Sequence, residues 1–270
     1  MEKHKEWVRD IFDRTAPEYG ENDCSYFDYF GRKLVDQVPL EKGHRILDVA
    51  TGKGAVLRSA SAKIGDSGKA VGIDLSPQMI EEAKKRVRFP GIELLQMDAE
   101  KLTFPDQTFD AVFCAFALFL FPSVAAALSE FKRVLKPKGT AAISLWGKRP
   151  PLEAWLVQRA KDLGAVRALR PGKLDTPEAL KDCLAKAGFV NIEIREESKT
   201  FWHKSPETWW DSLWSHGIRA YFEQLSPENL ALLKEETLNL AAKERTAQGV
   251  PYTGHFIYAL AKKNFLGVLK

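Results

Sequence analysis

Residues 46–54, Ile-Leu-Asp-Val-Ala-Thr-Gly-Lys-Gly, constrain this chain more than any other stretch. An apolar run rises to an acid, Asp48, and breaks into a loop holding Gly52 and Gly54. Behind the loop, Ala55, Val56 and Leu57 begin a helix. A buried strand that ends in a glycine turn and feeds a helix N-terminus is a parallel-sheet device. It cradles a nucleotide-like ligand, because glycine admits close backbone approach and the helix start presents free N–H groups.

The rest of the chain repeats the unit. Apolar runs at 45–49, 70–73, 92–96, 111–114 and 140–145 read as strands, the first a near-continuous run typical of a parallel strand covered on both faces. Helical patterns lie between them, with Ser76 and Ser123 as N-caps and Pro77 in a first turn. Lys136-Pro-Lys-Gly139 reads as a sharp turn before the fifth strand. Strict alternation with short connections predicts a doubly wound, mostly parallel α/β sheet (Rossmann-like), with all strand C-termini along one edge. Two amphipathic helices precede it: a face of Trp7, Val8, Ile11 and Phe12, then a helix over 25–37. They pack on the sheet edge or lie over the ligand. Further strands are predicted at 190–195 and 255–262, giving seven, the last antiparallel. Helices at 206–216 and 227–247 fall between those two, a gap too long for a plain loop, so it reads as an inserted cap.

Asp48, Asp74 and Asp98 fall at the ends of the first three strands, on one edge. A ligand carrying an amino group, a ribose diol and an adenine amine needs such acceptors. These motifs together resemble the class I S-adenosylmethionine-dependent methyltransferases, in particular the ubiquinone/menaquinone-biosynthesis-like small-molecule group. The likeness rests on 46–54, on Gly72-Ile-Asp-Leu-Ser-Pro-Gln-Met79, on Met97-Asp-Ala-Glu100 with Leu102 to Asp106, and on Leu135-Lys-Pro-Lys-Gly139. It implies S-adenosyl-L-methionine as cofactor. The backbone at Ala50, Gly52 and Gly54 would line the methionine half, with Asp48 near its amino group. Asp74 would take the ribose hydroxyls and Leu75 would pack on adenine. Asp98 would accept from the adenine amine beside the Ala99 N–H, and a carbonyl at Cys114 or Ala115 would approach the ammonium. Residues 12–20, Phe-Asp-Arg-Thr-Ala-Pro-Glu-Tyr-Gly, resemble the segment that brings a tyrosine to the cofactor carboxylate: here Tyr19, with Arg14 as second candidate. Many relatives have glycine where Ala50 sits; alanine fits if its φ stays negative. The implied organisation is a helical lid (1–40), a cofactor core (41–146, completed by 173–200 and 252–264) and cap insertions (147–172 and 201–251).

Two other readings compete. A nicotinamide-binding unit needs a third glycine in the loop, and Ala55, Val56 and Leu57 follow Gly54 instead. A cofactor-binding regulator without catalysis would not need so large a cap. The cap is aromatic, with Phe201, Trp202, Trp209, Trp210, Trp214, Tyr221 and Phe222, which fits an apolar or aromatic acceptor. Trp209, Trp210 and Tyr221 are the candidate substrate contacts; being adjacent, the two tryptophans diverge, so one is expected to face the cleft. Among His203, His216 and His255, His216 is the candidate general base for an O, C or N nucleophile, because it closes the Trp-rich helix. Each could equally be a packed or exposed side chain.

Net charge +4 over 270 residues, without a Lys/Arg run, argues against nucleic acid as a partner, and no Asn/Asp-Pro-Pro-aromatic motif follows the fourth strand. Three widely spaced cysteines, Cys24, Cys114 and Cys183, suit reduced thiols rather than zinc or disulfides. No signal peptide or membrane span is legible, so a cytoplasmic protein acting on a small molecule is expected, with no metal; the oligomeric state stays open.

Overall fold

The computed structural model describes residues 2–21, 26–169 and 174–264; Asn22, Cys24, Ser25 and the junction at 170–173 lie outside the described residues. Among them, one seven-stranded sheet runs in the order β3-β2-β1-β4-β5-β7-β6. Its strands are β1 (Arg45–Val49), β2 (Lys69–Asp74), β3 (Ile92–Gln96), β4 (Phe109–Ala115), β5 (Leu135–Trp146), β6 (Phe189–His203) and β7 (Val250–Lys263). The first five are parallel, and β7 inserts antiparallel to both β5 and β6. The order reverses between β1 and β4, so the crevice beyond their C-termini is where such a sheet takes a ligand.

Sequence explains the centre. Ile46, Leu47 and Val49 are fully buried. Strand β1 is sandwiched because helices cover both faces: α3 (Ala55–Ile64) and α2 (Tyr26–Asp36) on one, α5 (Val124–Val134) on the other. Helix α2 packs so closely on α3 that a Cβ on Gly31 would come within 3.1 Å of the Ala55 carbonyl carbon. Phe30 and Leu34 are fully buried there, and each such side chain contributes on the order of 1.5–3 kcal/mol by burial. Caps fall where expected: Ser76 accepts from the Met79 N–H at 3.0 Å at the start of α4 (Pro77–Arg86), and Ser123 accepts from Ala126 at 3.2 Å.

Three boundaries differ from expectation. Residues 136–139 do not end one element before another begins: β5 starts at Leu135, and the register jumps from Phe109↔Leu135 to Ala111↔Thr140. The Pro-Gly pair therefore forms a bulge within the strand, with Lys138 at φ 64° and Lys136 held by Asp110 at 2.8 Å. Strand β6 runs eight residues past Arg195, and β7 begins five residues before His255. The stretch 196–203 looks polar because β6 is an edge strand, and a strand solvated on one side needs no continuous apolar run.

The open choice for the N-terminal helices divides between them. Helix α2 packs against the sheet, whereas α1 (Glu2–Thr15) crosses the ligand edge. Lys5 pairs with Asp98 at 2.6 Å and Glu100 at 2.7 Å, and Asp13 accepts from the Ser76 hydroxyl. The remaining helices are α6 (Pro151–Asp162), α7 (Pro177–Lys186), α8 (Pro206–Trp214), α9 (Arg219–Phe222) and α10 (Pro227–Glu244). Helices α6, α8, α9 and α10 bury a separate apolar cluster that includes Leu156, Trp209, Trp210, Phe222 and Leu233. No described helix is long and apolar enough to cross a membrane.

Candidate active site

The loop after β1 sets the site. Ala50 has φ 55° and Gly52 φ 53°, both left-handed. The expectation of a negative φ at Ala50 is therefore corrected: the chain reverses too sharply for it, because the Thr51 N–H must donate to the Ile73 carbonyl at 2.9 Å on β2. The Thr51 hydroxyl donates to Asp48 at 2.6 Å. Asp48 is 1% exposed, and burial lifts its carboxyl to about 7, only partly offset by Thr51. Asp74 accepts from the Gly52 N–H and the Ser76 N–H, each at 2.9 Å, one on each oxygen. Burial raises its pKa to about 6 against those bonds. Each oxygen keeps a lone pair for a hydroxyl donor.

Asp74, Leu75, Asp98, Ala99, Ala115, Ala50, Gly52 and Tyr19 line one cleft of about 760 Å³ beneath α1. Asp48 opens instead on an adjoining cavity of about 640 Å³, shared with Tyr19, Ala50, Gly52 and Ala115. Gly54 lines neither. Its glycine serves packing: φ is 80°, and a Cβ would fall 2.3 Å from Val87. Arg14 also lies elsewhere, tied to Glu223 in the cap at 2.6 Å. Tyr19 stacks on Phe27 at 4.5 Å, and burial pushes its phenol up.

A third cavity of about 830 Å³ meets the cleft at Phe12, Tyr19, Phe116 and Leu120. Trp209, Tyr221 and His216 line it. Trp210 does not: it stacks on Phe222 at 4.7 Å and 17°, inside the cap core. Consecutive helical residues point about 100° apart, so α8 can offer the cavity only one of the pair. Burial drags His216 down to about 4, with Arg149 lowering it further and Glu153 opposing, so the ring is neutral at neutral pH.

Sequence reading missed several residues here. Arg149 and Glu153 bring charge to a largely aromatic wall, beside Tyr252, which the sequence had placed near the cap. Arg149 pairs with Glu153, and the Tyr252 hydroxyl donates to Glu153 at 2.8 Å. The i,i+4 spacing of Arg149 and Glu153 across Pro150-Pro151 was the available signal. Phe116, at φ 54°, had none; its N–H donates to Ser144 at 2.8 Å, and its ring packs on Trp146 at 4.6 Å.

The cleft fits a nucleoside ligand with a cationic amino-acid end. Buried carboxylates at Asp48 and Asp74 favour cationic and hydroxyl donors, and the loop approaches through Gly52, which has no side chain. Among the described residues no three or more His, Cys, Asp or Glu are grouped to hold a metal. Fold and cleft thus define a doubly wound nucleoside-cofactor protein with a separate aromatic cavity. Comparison sharpens this. Residues 47–143 match the family described as methyltransferase domain. The chain is 31% identical to demethylmenaquinone methyltransferase of Symbiobacterium thermophilum over 224 residues, covering 72% of this chain and 89% of that protein. It is 29% identical to nocamycin O-methyltransferase of Saccharothrix syringae over 247 residues, covering 84% and 88%. A solved S-adenosylmethionine-dependent methyltransferase of Thermotoga maritima shares the fold, with TM-score 0.57 and 19% identity over 95% of this chain and 99% of that one. The chain belongs to the class I S-adenosylmethionine-dependent methyltransferases of the ubiquinone/menaquinone type, an enzyme family, and the nicotinamide reading falls.

Proposed function

We propose that this enzyme methylates a small, planar, largely apolar metabolite held in the aromatic cavity, and that α1 covers the cofactor while residues 147–169 and 201–251 shape the acceptor pocket. The observation that carries this reading is the junction of the two cavities at Phe12, Tyr19, Phe116 and Leu120. The curated relatives act, by name, on nocamycin and demethylmenaquinone, both small molecules. A cytoplasmic protein without nucleic-acid partners remains part of the proposal.

Bound S-adenosylmethionine supplies a methyl group already activated on a sulfonium. Asp74 would hold the ribose diol, Asp98 and Ala99 the adenine with Leu75 packing on it, and Asp48, Ala50, Gly52 and Ala115 the amino-acid end, with Tyr19 beside its carboxylate. Trp209, Tyr221 and the ring of Phe116 would fix the plane of the acceptor and exclude water. Alignment of this kind is worth on the order of 7–11 kcal/mol in well-oriented systems. His216 faces the acceptor as a neutral ring; with its pKa drawn to about 4 it is a hydrogen-bond partner and a weak base. Calorimetry with S-adenosylhomocysteine tests the reading: wild type binds, and Asp74→Ala loses affinity by at least tenfold. No binding by wild type overturns it, and a screen with a labelled methyl donor then identifies the acceptor.

A further inference from the structure

We propose that the polar end of the acceptor cavity, built by Arg149, Glu153, Tyr252 and His216, anchors an acceptor carrying an ionised oxygen group, a carboxylate or an acidic enol, on a planar apolar skeleton. The proposal rests on the acceptor cavity assigned above. The largely aromatic and aliphatic wall carries one cation, Arg149, and one anion, Glu153, set side by side. Among the described residues, Glu153 is the single protein acceptor of the Arg149 guanidinium, through Nη1. The Nε and Nη2 donors remain, and two parallel N–H groups suit a carboxylate or enolate oxygen pair. Glu153 has its own oxygens taken, one by Arg149 and one by the Tyr252 hydroxyl at 2.8 Å. It therefore orients the guanidinium, and the calorimetry below decides between the Arg149 donors and the second lone pair of each Glu153 oxygen as the group that selects the ligand.

The fourth member, His216, favours the same acceptor. A neutral hydroxyl would have to lose its proton to a nearby base, and the imidazole is held by burial in a form that binds protons poorly. An acceptor that arrives ionised presents its lone pair without any proton transfer, so the pocket needs donors rather than a base. A neutral imidazole can donate one N–H to the same anion.

The test is calorimetry with three probes on one ring: 2-naphthoate, 2-naphthamide and 2-naphthylmethylammonium, each with and without S-adenosylhomocysteine. Naphthoate is expected to bind at least tenfold tighter than the other two. Arg149→Gln should erase that preference while leaving S-adenosylhomocysteine affinity unchanged. Should that variant fail to fold, Arg149→Gln/Glu153→Gln keeps a neutral hydrogen-bonding pair and should erase it equally. Tighter binding of amide or amine, a preference that survives either variant, or no binding of any probe overturns the anchor. A protein that prefers naphthoate yet ignores S-adenosylhomocysteine keeps the anchor and defeats the cofactor reading instead.

Discussion

At Ala50 a single methyl group sits where the backbone has turned left-handed, φ 55°. That conformation costs an L-residue roughly 1–2 kcal/mol, while glycine gives back part of this through its freer unfolded chain. Ala50→Gly is therefore expected to stabilise the protein by about 0.5–1 kcal/mol, read as a rise in Tm, with S-adenosylhomocysteine binding retained. Asp48 carries a pH signature. Its carboxyl is raised from 3.8 to about 7, so the folded protein holds that proton where the unfolded chain has released it. The resulting stability is full below about 4 and is lost as pH rises through about 7. The Tm of Asp48→Asn minus that of wild type should accordingly grow between about pH 5 and 8; a flat difference would refute the assignment. Asp48 and Asp74 were legible because acids interrupting apolar strands are unusual. The left-handed φ at Ala50 was not, since an alanine in sequence says nothing of its dihedral.

Elements decide which of two neighbouring side chains works. Helix α8 turns Trp209 to the acceptor cavity and Trp210 into the cap. Trp209→Phe is expected to change kcat/KM for the acceptor severalfold with S-adenosylhomocysteine affinity intact. Trp210→Phe should instead lower Tm and leave acceptor kinetics alone; the two measured side by side distinguish them. Divergence of the pair was readable from helical periodicity, but the choice between them depended on where α6 and α9 dock. The same holds for α1. Its apolar stripe was plain, yet only packing brought Lys5 to Asp98 and Glu100 across 93 and 95 positions of chain. The β5 bulge escaped because Pro-Gly in a strand looks like a turn until the neighbour's register is known.

Over the whole molecule, the cofactor cleft is closed by contacts from far-separated segments: β1 and β2 below, α1 above, and Phe116 at the wall shared with the cap. Binding to the folded state alone stabilises it by about 2.7 kcal/mol at a ligand concentration 100 times Kd. For a chain of this size that corresponds to about 5–10 °C in Tm. Thermal unfolding with S-adenosylhomocysteine should show this rise, reduced to about half or less in Asp74→Ala at the same concentration.

Local chemistry determined the sheet, the strand ends and the three acids, because buried parallel strands, glycine turns and caps write themselves into a short window of residues. The cofactor class was legible through the resemblance of the motifs at 46–54, 72–79 and 97–106 to a known family, with the three acids on one edge consistent with it. Tertiary structure alone decided that Gly54 packs rather than binds, that Trp209 and not Trp210 faces the acceptor, and that Arg149 and Glu153 meet Tyr252 some hundred residues away. Those outcomes depend on distances between elements, and such distances are set by the packing of whole faces, which no local pattern encodes.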